Sequence, residues 1–188
     1  MMNSSLLQAL LSDLPDGEVS DVRVGIHWTA VVAKVEQKER CGLAATLAPP
    51  PGEGGRPDVP AAGRLKGISA RSMAEWVTGK APILSSLGMA AINALISPQP
   101  GRWVDANAAD VIARQGAGKK VALVGHFSFV ERLRPLVGEL TVLEQHPRSG
   151  DLPASAASKV IPRADVVAIT GMTVFNRTLE ELLALNRP

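Results

Sequence analysis

Apolar residues first recur at helical spacing over Leu6, Leu7, Leu10, Leu11 and Leu14. With Ser4 or Ser5 as N-cap and Pro15-Asp16-Gly17 as a stop, this predicts an amphipathic helix. The period then changes. Val19 to Trp28, Thr29 to Val35 and Cys41 to Leu47 are rich in β-branched and small apolar residues, and the charged run Glu36 to Arg40 separates the last two. That pattern predicts an antiparallel meander whose hairpin loop is the charged run. From Ala48 to Gly67, prolines 49, 50, 51, 57 and 60 and glycines 52, 54, 55, 63 and 67 exclude a helix or an internal strand and predict a loop. Ser69 to Val77 reads as a helix with Met73, Trp76 and Val77 inward. A second helix capped by Ser85 or Ser86 runs to Ile96, and its Ala90, Ala91 and Ala94 permit close packing. Asn107 starts a short helix to Gln115, closed by Gly116 and Gly118.

After Gly118 apolar runs alternate with helix-length segments. Val121 to Gly125, Leu140 to Glu144 and Asp165 to Gly171 read as strands, the first and last as continuous runs of the kind buried on both faces of a parallel sheet. Helices are expected near Ser128 to Val137, Ala154 to Val160 and Asn176 to Leu185. This succession is the signature of βαβ crossovers in a Rossmann-like layer. The fold class expected is therefore an α+β domain over residues 1–110, followed by a parallel-sheet α/β domain over residues 111–188.

Composition narrows the function classes. Twenty Lys and Arg against 18 Asp and Glu leave a net charge of +2, too balanced for a dedicated nucleic-acid binder, and three Trp, three Phe and no Tyr leave little to stack on bases. No nucleic-acid partner is expected. No apolar run reaches the roughly 18 residues of a membrane span, so no membrane partner is expected either. The single cysteine, Cys41, excludes a disulfide framework and fits a reducing compartment, which makes the cytoplasm the expected location.

In an open parallel sheet ligands sit beyond the carboxyl ends of the strands, so the polar residues after each run are the candidates. These are Gly125-His126-Phe127-Ser128, Glu144-Gln145-His146, and Thr170-Gly171-Met172-Thr173 with Asn176 and Thr178. The first turn lacks the full glycine pattern of a dinucleotide site, since Phe127 and Val130 stand where glycines would admit a pyrophosphate. Glu144 remains placed to accept from ribose hydroxyls, or else caps its own turn or pairs with Arg148. Thr170 to Thr173, Asn176 and Thr178 offer small hydrogen-bonding groups at a helix start, where capping and ligand contact are compatible. His126, His146, Glu144 and Asp151 could converge as nitrogen and oxygen donors to a divalent transition metal, with His126 and Glu144 the first two ligands to consider. No HxxxH or HExxH motif accompanies them. Cys41 reads as a small buried hydrophobe at a strand start and not as a nucleophile.

Several blocks together carry a family resemblance: Val24 to Val31, Leu87 to Ala94, Val124 to Phe127, Val142 to Glu144 with Gly150 to Pro153, and Ala164 to Gly171 with Asn176 and Thr178. In order and content they resemble the bacterial and archaeal family called putative heavy-metal chelation proteins. The resemblance implies an N-terminal domain like that of enolase, a C-terminal Rossmann-like domain and a ligand site in the cleft between them. It would place Asn93 on the first domain, and His126, Glu144, Asp151, Thr170, Gly171, Asn176 and Thr178 on the second. Members of the family continue into further strands after the asparagine-threonine helix, so a shortened Rossmann-like domain is expected here.

Three readings follow. The first is a protein that binds a small polar ligand or heavy-metal ion. The second is a nucleotide-cofactor enzyme of S-adenosylmethionine or nicotinamide type with Glu144 on the ribose. The third is a module that engages a partner through the loop from Pro49 to Gly67. A short parallel sheet with an open edge further suggests a homodimer.

Overall fold

A computed structural model describes residues 6–49 and 58–185, which form two compact units, residues 1–100 and 101–188. Ser4 and Ser5, and the part of the proline- and glycine-rich loop over residues 50–57, lie outside the described residues.

The N-terminal unit contains α1 (Leu6–Asp13), the meander β1 (Glu18–Val24), β2 (Trp28–Val35) and β3 (Lys38–Ala45), then α2 (Ala70–Ala74) running into a 3-10 turn over Glu75–Thr78, and α3 (Pro82–Leu95). Both strand pairs are antiparallel, in the order β1-β2-β3. On β2, Thr29, Val31, Ala33 and Val35 are buried while Trp28 and Lys34 are exposed, the period-2 alternation of a sheet covered on one face. The cover is α3, nearly all of whose residues from Ser85 to Leu95 are buried. Contact is close because a Cβ on Gly42 of β3 would fall 2.1 Å from the Ala90 carbonyl oxygen and 2.3 Å from the Ala94 nitrogen. Met73, Leu87, Ile92 and Leu95 complete this core, and each such side chain contributes roughly 1.5–3 kcal/mol through burial.

Four local expectations need correction. The charged run between β2 and β3 is not a five-residue loop. Glu36 and Gln37, at φ 49° and 66°, make a two-residue turn, and Lys38, Glu39 and Arg40 already belong to β3, paired with Val35, Lys34 and Ala33. A turn with positive φ at both central residues matches the strand twist, and it prevailed over the low strand propensity of the charges. α3 begins at Pro82, whose fixed φ suits the first helical turn, so Ser85 and Ser86 lie inside the helix instead of capping it. There the Ser86 hydroxyl donates to the Pro82 carbonyl at 3.3 Å and accepts from the Leu47 amide at 2.9 Å. α1 buries none of its residues, although Leu14 just beyond it is buried. Finally, Cys41 is exposed and not buried, because it pairs with Val32 on the face of the sheet turned away from α3.

The C-terminal unit runs α4 (Ala108–Gly116), β4 (Lys120–Val124), α5 (Val130–Leu133) with a 3-10 turn, β5 (Glu139–Glu144), β6 (Leu152–Pro153), α6 (Ala157–Val160) between two 3-10 turns, β7 (Val166–Ile169), α7 (Met172–Phe175) and α8 (Leu179–Leu185). Its four strands are all parallel, in the order β6-β5-β4-β7. The two-residue edge strand β6 has no apolar run to announce it and falls in a segment that reads as loop.

Alternate residues of the central strand face opposite layers. Val121 and Leu123 pack with Val130, Leu133 and the half-buried Ile112, under α4 and α5. Ala122 and Val124 pack with Ala157, Ile161 and Leu182, under α6 and α8. Helices thus cover both faces, and β5 and β7, the strands that follow β4, lie on opposite sides of it. This is the arrangement that opens a crevice at the carboxyl ends of the strands. The last helix, expected from Asn176, begins only at Leu179 as α8, and a short helix not foreseen, α7, precedes it; Asn176 ends α7 and Arg177 adopts φ 60° before α8 begins.

Candidate functional site

The rim of the parallel sheet begins where β4 ends. The Gly125 amide continues the ladder to the Leu143 carbonyl at 2.9 Å, and Gly125 itself adopts φ +104°. The backbone angle favours glycine, and a Cβ there would also crowd Thr170 Cγ2 at 3.0 Å. The turn aims the His126 amide at Glu144, which the register brings alongside because Val124 pairs with Leu143. Glu144 Oε2 accepts from the His126 amide at 2.8 Å and Oε1 accepts from the Gln145 amide at 2.8 Å. Each carboxylate oxygen therefore holds one strand-end turn, and the ion pair with Arg148 does not form among the described residues.

Arg148 contributes through its backbone. Its amide donates to Asp151 Oδ2 at 3.0 Å, while its carbonyl accepts from the Asp151 amide at 3.0 Å, closing a tight loop with Gly150 at φ +90°. The same Oδ2 lies 2.8 Å from His126 Nδ1. The Asp151 side chain is 1% exposed and that of His126 is 16% exposed. Burial pushes the Asp151 carboxyl up, but the Arg148 amide, the His126 ring and the Arg148 charge outweigh it and hold the group below the usual carboxylate range. Asp151 is consequently ionised at neutral pH and has no proton to give. The ring must donate from Nδ1, which leaves the Nε2 lone pair of a neutral imidazole outward from the dyad.

At the end of β7 the Thr170 amide donates to the Val124 carbonyl at 3.0 Å, its Oγ1 accepts from the Met172 amide at 3.3 Å, and its carbonyl accepts from the Thr173 hydroxyl at 2.7 Å. Thr170 therefore stands next to Gly125, and Thr170 and Gly171 hold the start of α7. Asn176 and Thr178 are bonded to each other: Asn176 Oδ1 accepts from the Thr178 hydroxyl at 2.6 Å and from its amide at 3.2 Å, an Asx turn ahead of α8. In the N-terminal unit, Asn93 Nδ2 donates to the Leu43 carbonyl at 2.7 Å, tying α3 to β3.

Of the residues singled out from sequence, the fold thus joins His126, Glu144 and Asp151 in one network. It sets Thr170 against Gly125, the residue before His126, leaves Gly171 at the start of α7, and keeps Asn176 with Thr178 as a separate pair. His146 is exposed. Sequence reading grouped Asp151 with His126 and Glu144 as converging donors but did not single out Asp151, and not Glu144, as the partner of the histidine ring; Gly150 before it marks a turn tight enough to direct the carboxylate inward. Among the described residues no three His, Cys, Asp or Glu side chains converge to hold a metal ion.

Two family models, both described as putative heavy-metal chelation, match residues 7–96 and 107–188. The chain belongs to the putative heavy-metal chelation family. Among solved structures it is similar to a protein of unknown function from Desulfitobacterium hafniense, a member of the family matched by the C-terminal half. Identity is 29% and the TM-score 0.78, over 97% of this chain and 73% of that one. It is also similar in fold to a second such protein, from Pyrococcus horikoshii, with 21% identity and a TM-score of 0.72, over 96% of this chain and 72% of that one. No curated protein matches the chain.

Proposed function

We propose that this member of the heavy-metal chelation family binds a small polar ligand or a heavy-metal ion at the carboxyl-end rim of its parallel sheet, with His126 Nε2 as the contacting donor. The observation that carries the reading is the His126–Asp151 contact at 2.8 Å. A carboxylate behind a histidine fixes the tautomer and ring orientation and raises the basicity of the far nitrogen, the arrangement found behind metal-binding imidazoles. Glu144 supports it by holding the backbone on either side, at His126 and at Gln145.

The fit to a metal ion is partial. One imidazole is oriented and backed, but the described residues assemble no set of three donors around it. Both oxygens of Glu144 already accept backbone amides, so Glu144 acts here as a positioning residue and not as a second ligand.

Thermal unfolding of the full chain with zinc, nickel, copper, cobalt or iron(II) tests the reading. A bound ion stabilises the folded state by about 2.7 kcal/mol at a hundredfold excess over Kd, and His126→Gln should remove that gain. No shift with any of these ions, or a shift that survives His126→Gln, overturns the metal part of the reading.

A further inference from the structure

The antiparallel sheet is apolar on its second face as well. Residues that alternate with the buried Thr29, Val31 and Ala33 point away from α3, and the register sets them in rows: Trp28 beside Ala45, Ala30 between Arg23 and Leu43, Val32 between Asp21 and Cys41. Six of these eight residues are apolar, whereas the outward face of an antiparallel sheet covered on one side is ordinarily polar. Trp28 is 63% exposed, Leu43 is 55% exposed, and Ile26, in the turn that joins β1 to β2, is 89% exposed. Cys41 is exposed too. Charged residues border the patch on two sides. Along β1, Asp21 pairs with Arg23 at 2.9 Å and with Lys66 at 3.7 Å, and toward the β2–β3 turn Lys34 lies opposite Glu39.

We propose that two copies of this chain associate through this face, sheet against sheet, about a two-fold axis. Area, shape and charge each favour a second copy as the occupant. The exposed apolar side chains amount to roughly 600 Å², the top of the range that a monomer ordinarily leaves bare. With the charged border the face offers about the 800 Å² per partner that a standard interface buries. Sheet faces stack about 10 Å apart with interdigitated side chains. Here the large Trp28 and Leu43 stand beside the small Ala45 and Ala30, so one face carries both the projections and the hollows that an identical face needs. The border holds both signs of charge, and two copies therefore meet without net repulsion. A nucleic acid or an anionic membrane would call for positive charge alone.

Sedimentation velocity of the full chain across the micromolar range tests the proposal, and the expected result is a monomer–dimer equilibrium. Trp28→Ala, which removes the largest projection, should weaken the dimer by about 30-fold or more. Leu43→Glu, which places a charge inside the apolar patch of both copies, should abolish it. Both side chains are exposed in a single copy, so both variants should keep the parent's thermal transition. Cys41 is the one cysteine in the sequence, and it reports on the face independently of these variants: iodoacetamide should alkylate it more slowly in the concentrated, dimeric parent than in the same protein diluted to monomer. A monomer at every concentration overturns the proposal and leaves the face to a partner of another kind. A dimer that either variant leaves at parental strength, or in which Cys41 is alkylated as fast as in the monomer, also overturns it and puts the contact elsewhere, as at the open edge of the parallel sheet.

Discussion

His126 Nδ1 and Asp151 Oδ2 stand 2.8 Å apart although 25 positions separate them in sequence, and the Arg148 amide donates to the same oxygen at 3.0 Å. One carboxylate oxygen thus fixes both an imidazole and the loop that carries the carboxylate. The expected consequence is a ring that carries a proton on Nδ1, so that Nε2 is the unprotonated nitrogen whenever the imidazole is neutral. Long-range nitrogen-15 correlation spectra near pH 8 distinguish the tautomers directly. An Nε2–H ring would mean that Asp151 does not orient it.

Removing that carboxylate should be costly, because two donors lose their partner at a buried position. Hydrogen bonds to a charged group contribute about 1.5–3 kcal/mol, so Asp151→Ala should destabilise the C-terminal unit by about 2–3 kcal/mol. Asp151→Asn, which keeps an acceptor oxygen, should cost less. Urea unfolding of both variants measures the difference, and equal losses would show that the charge carries the whole effect and the retained acceptor oxygen none of it.

Acid should weaken both units for the same electrostatic reason. Asp16 is held below the usual carboxylate range chiefly by the Gly17 amide, against the opposing effect of burial, and then by the Ser69 hydroxyl and Arg71. Asp151 is held low by the contacts already described. A carboxyl whose pKa is lower in the folded than in the unfolded chain binds fewer protons when folded. Its contribution is present above the unfolded value, about 3.9, and is lost as pH falls through the folded value. Stability should therefore decline below about pH 5, and Asp16→Asn and Asp151→Asn should each flatten the decline. A stability profile between pH 6 and 3 that the two variants leave unchanged would refute this.

How much of this was legible in the sequence follows from the range of each interaction. The parallel strands announce themselves because burial on both faces demands uninterrupted apolar runs such as Val121 to Val124. The antiparallel sheet does so because Thr29, Val31, Ala33 and Val35 alternate with outward residues. The candidate rim was legible too, since strand ends are fixed once strands are. The pairing of His126 with Asp151 was not, because it depends on a turn closed by Gly150 and by the Arg148 backbone, and backbone donors carry no sequence signature. Glu144 looked equally suited to a ribose, an arginine or a backbone amide, and only the register of β4 on β5 decides among them. The helix start at Ser85 or Ser86 failed because buried hydroxyls that bond within a helix have the same residue identity as caps.

The close approach of β3 and α3 sets a further expectation. At Gly42 an added methyl meets the backbone of α3 at Ala90, Asn93 and Ala94, none of which can rotate away. Gly42→Ala should cost more than about 3 kcal/mol, beyond ordinary overpacking. Gly101→Ala, where nothing lies within 4 Å and φ is not in the left-handed region, should stay within about 0.5 kcal/mol of the parent. Comparable melting temperatures for the two variants would mean that α3 does not approach β3 this closely.

The turn between β2 and β3 offers a substitution expected to stabilise. Glu36 and Gln37 both occupy the left-handed region, at φ 49° and 66°, where an L side chain costs roughly 1–2 kcal/mol through the clash of Cβ with the following carbonyl. Glycine avoids that clash and is the residue such two-residue hairpin turns favour at their second position. The gain is partly offset by the greater freedom of glycine in the unfolded chain, worth roughly 0.5–1 kcal/mol. Gln37→Gly also leaves the Glu36–Arg40 ion pair, 3.8 Å apart at the surface, in place. The net expectation is a gain of about 0.5–1 kcal/mol in the N-terminal unit. Gln37→Ala, which keeps the Cβ and therefore the clash, should give no such gain, so the pair of variants separates backbone strain from the loss of the glutamine side chain. Urea midpoints for the two measure it, and a Gln37→Gly protein no more stable than Gln37→Ala would show that the hairpin does not hold Gln37 in the left-handed region.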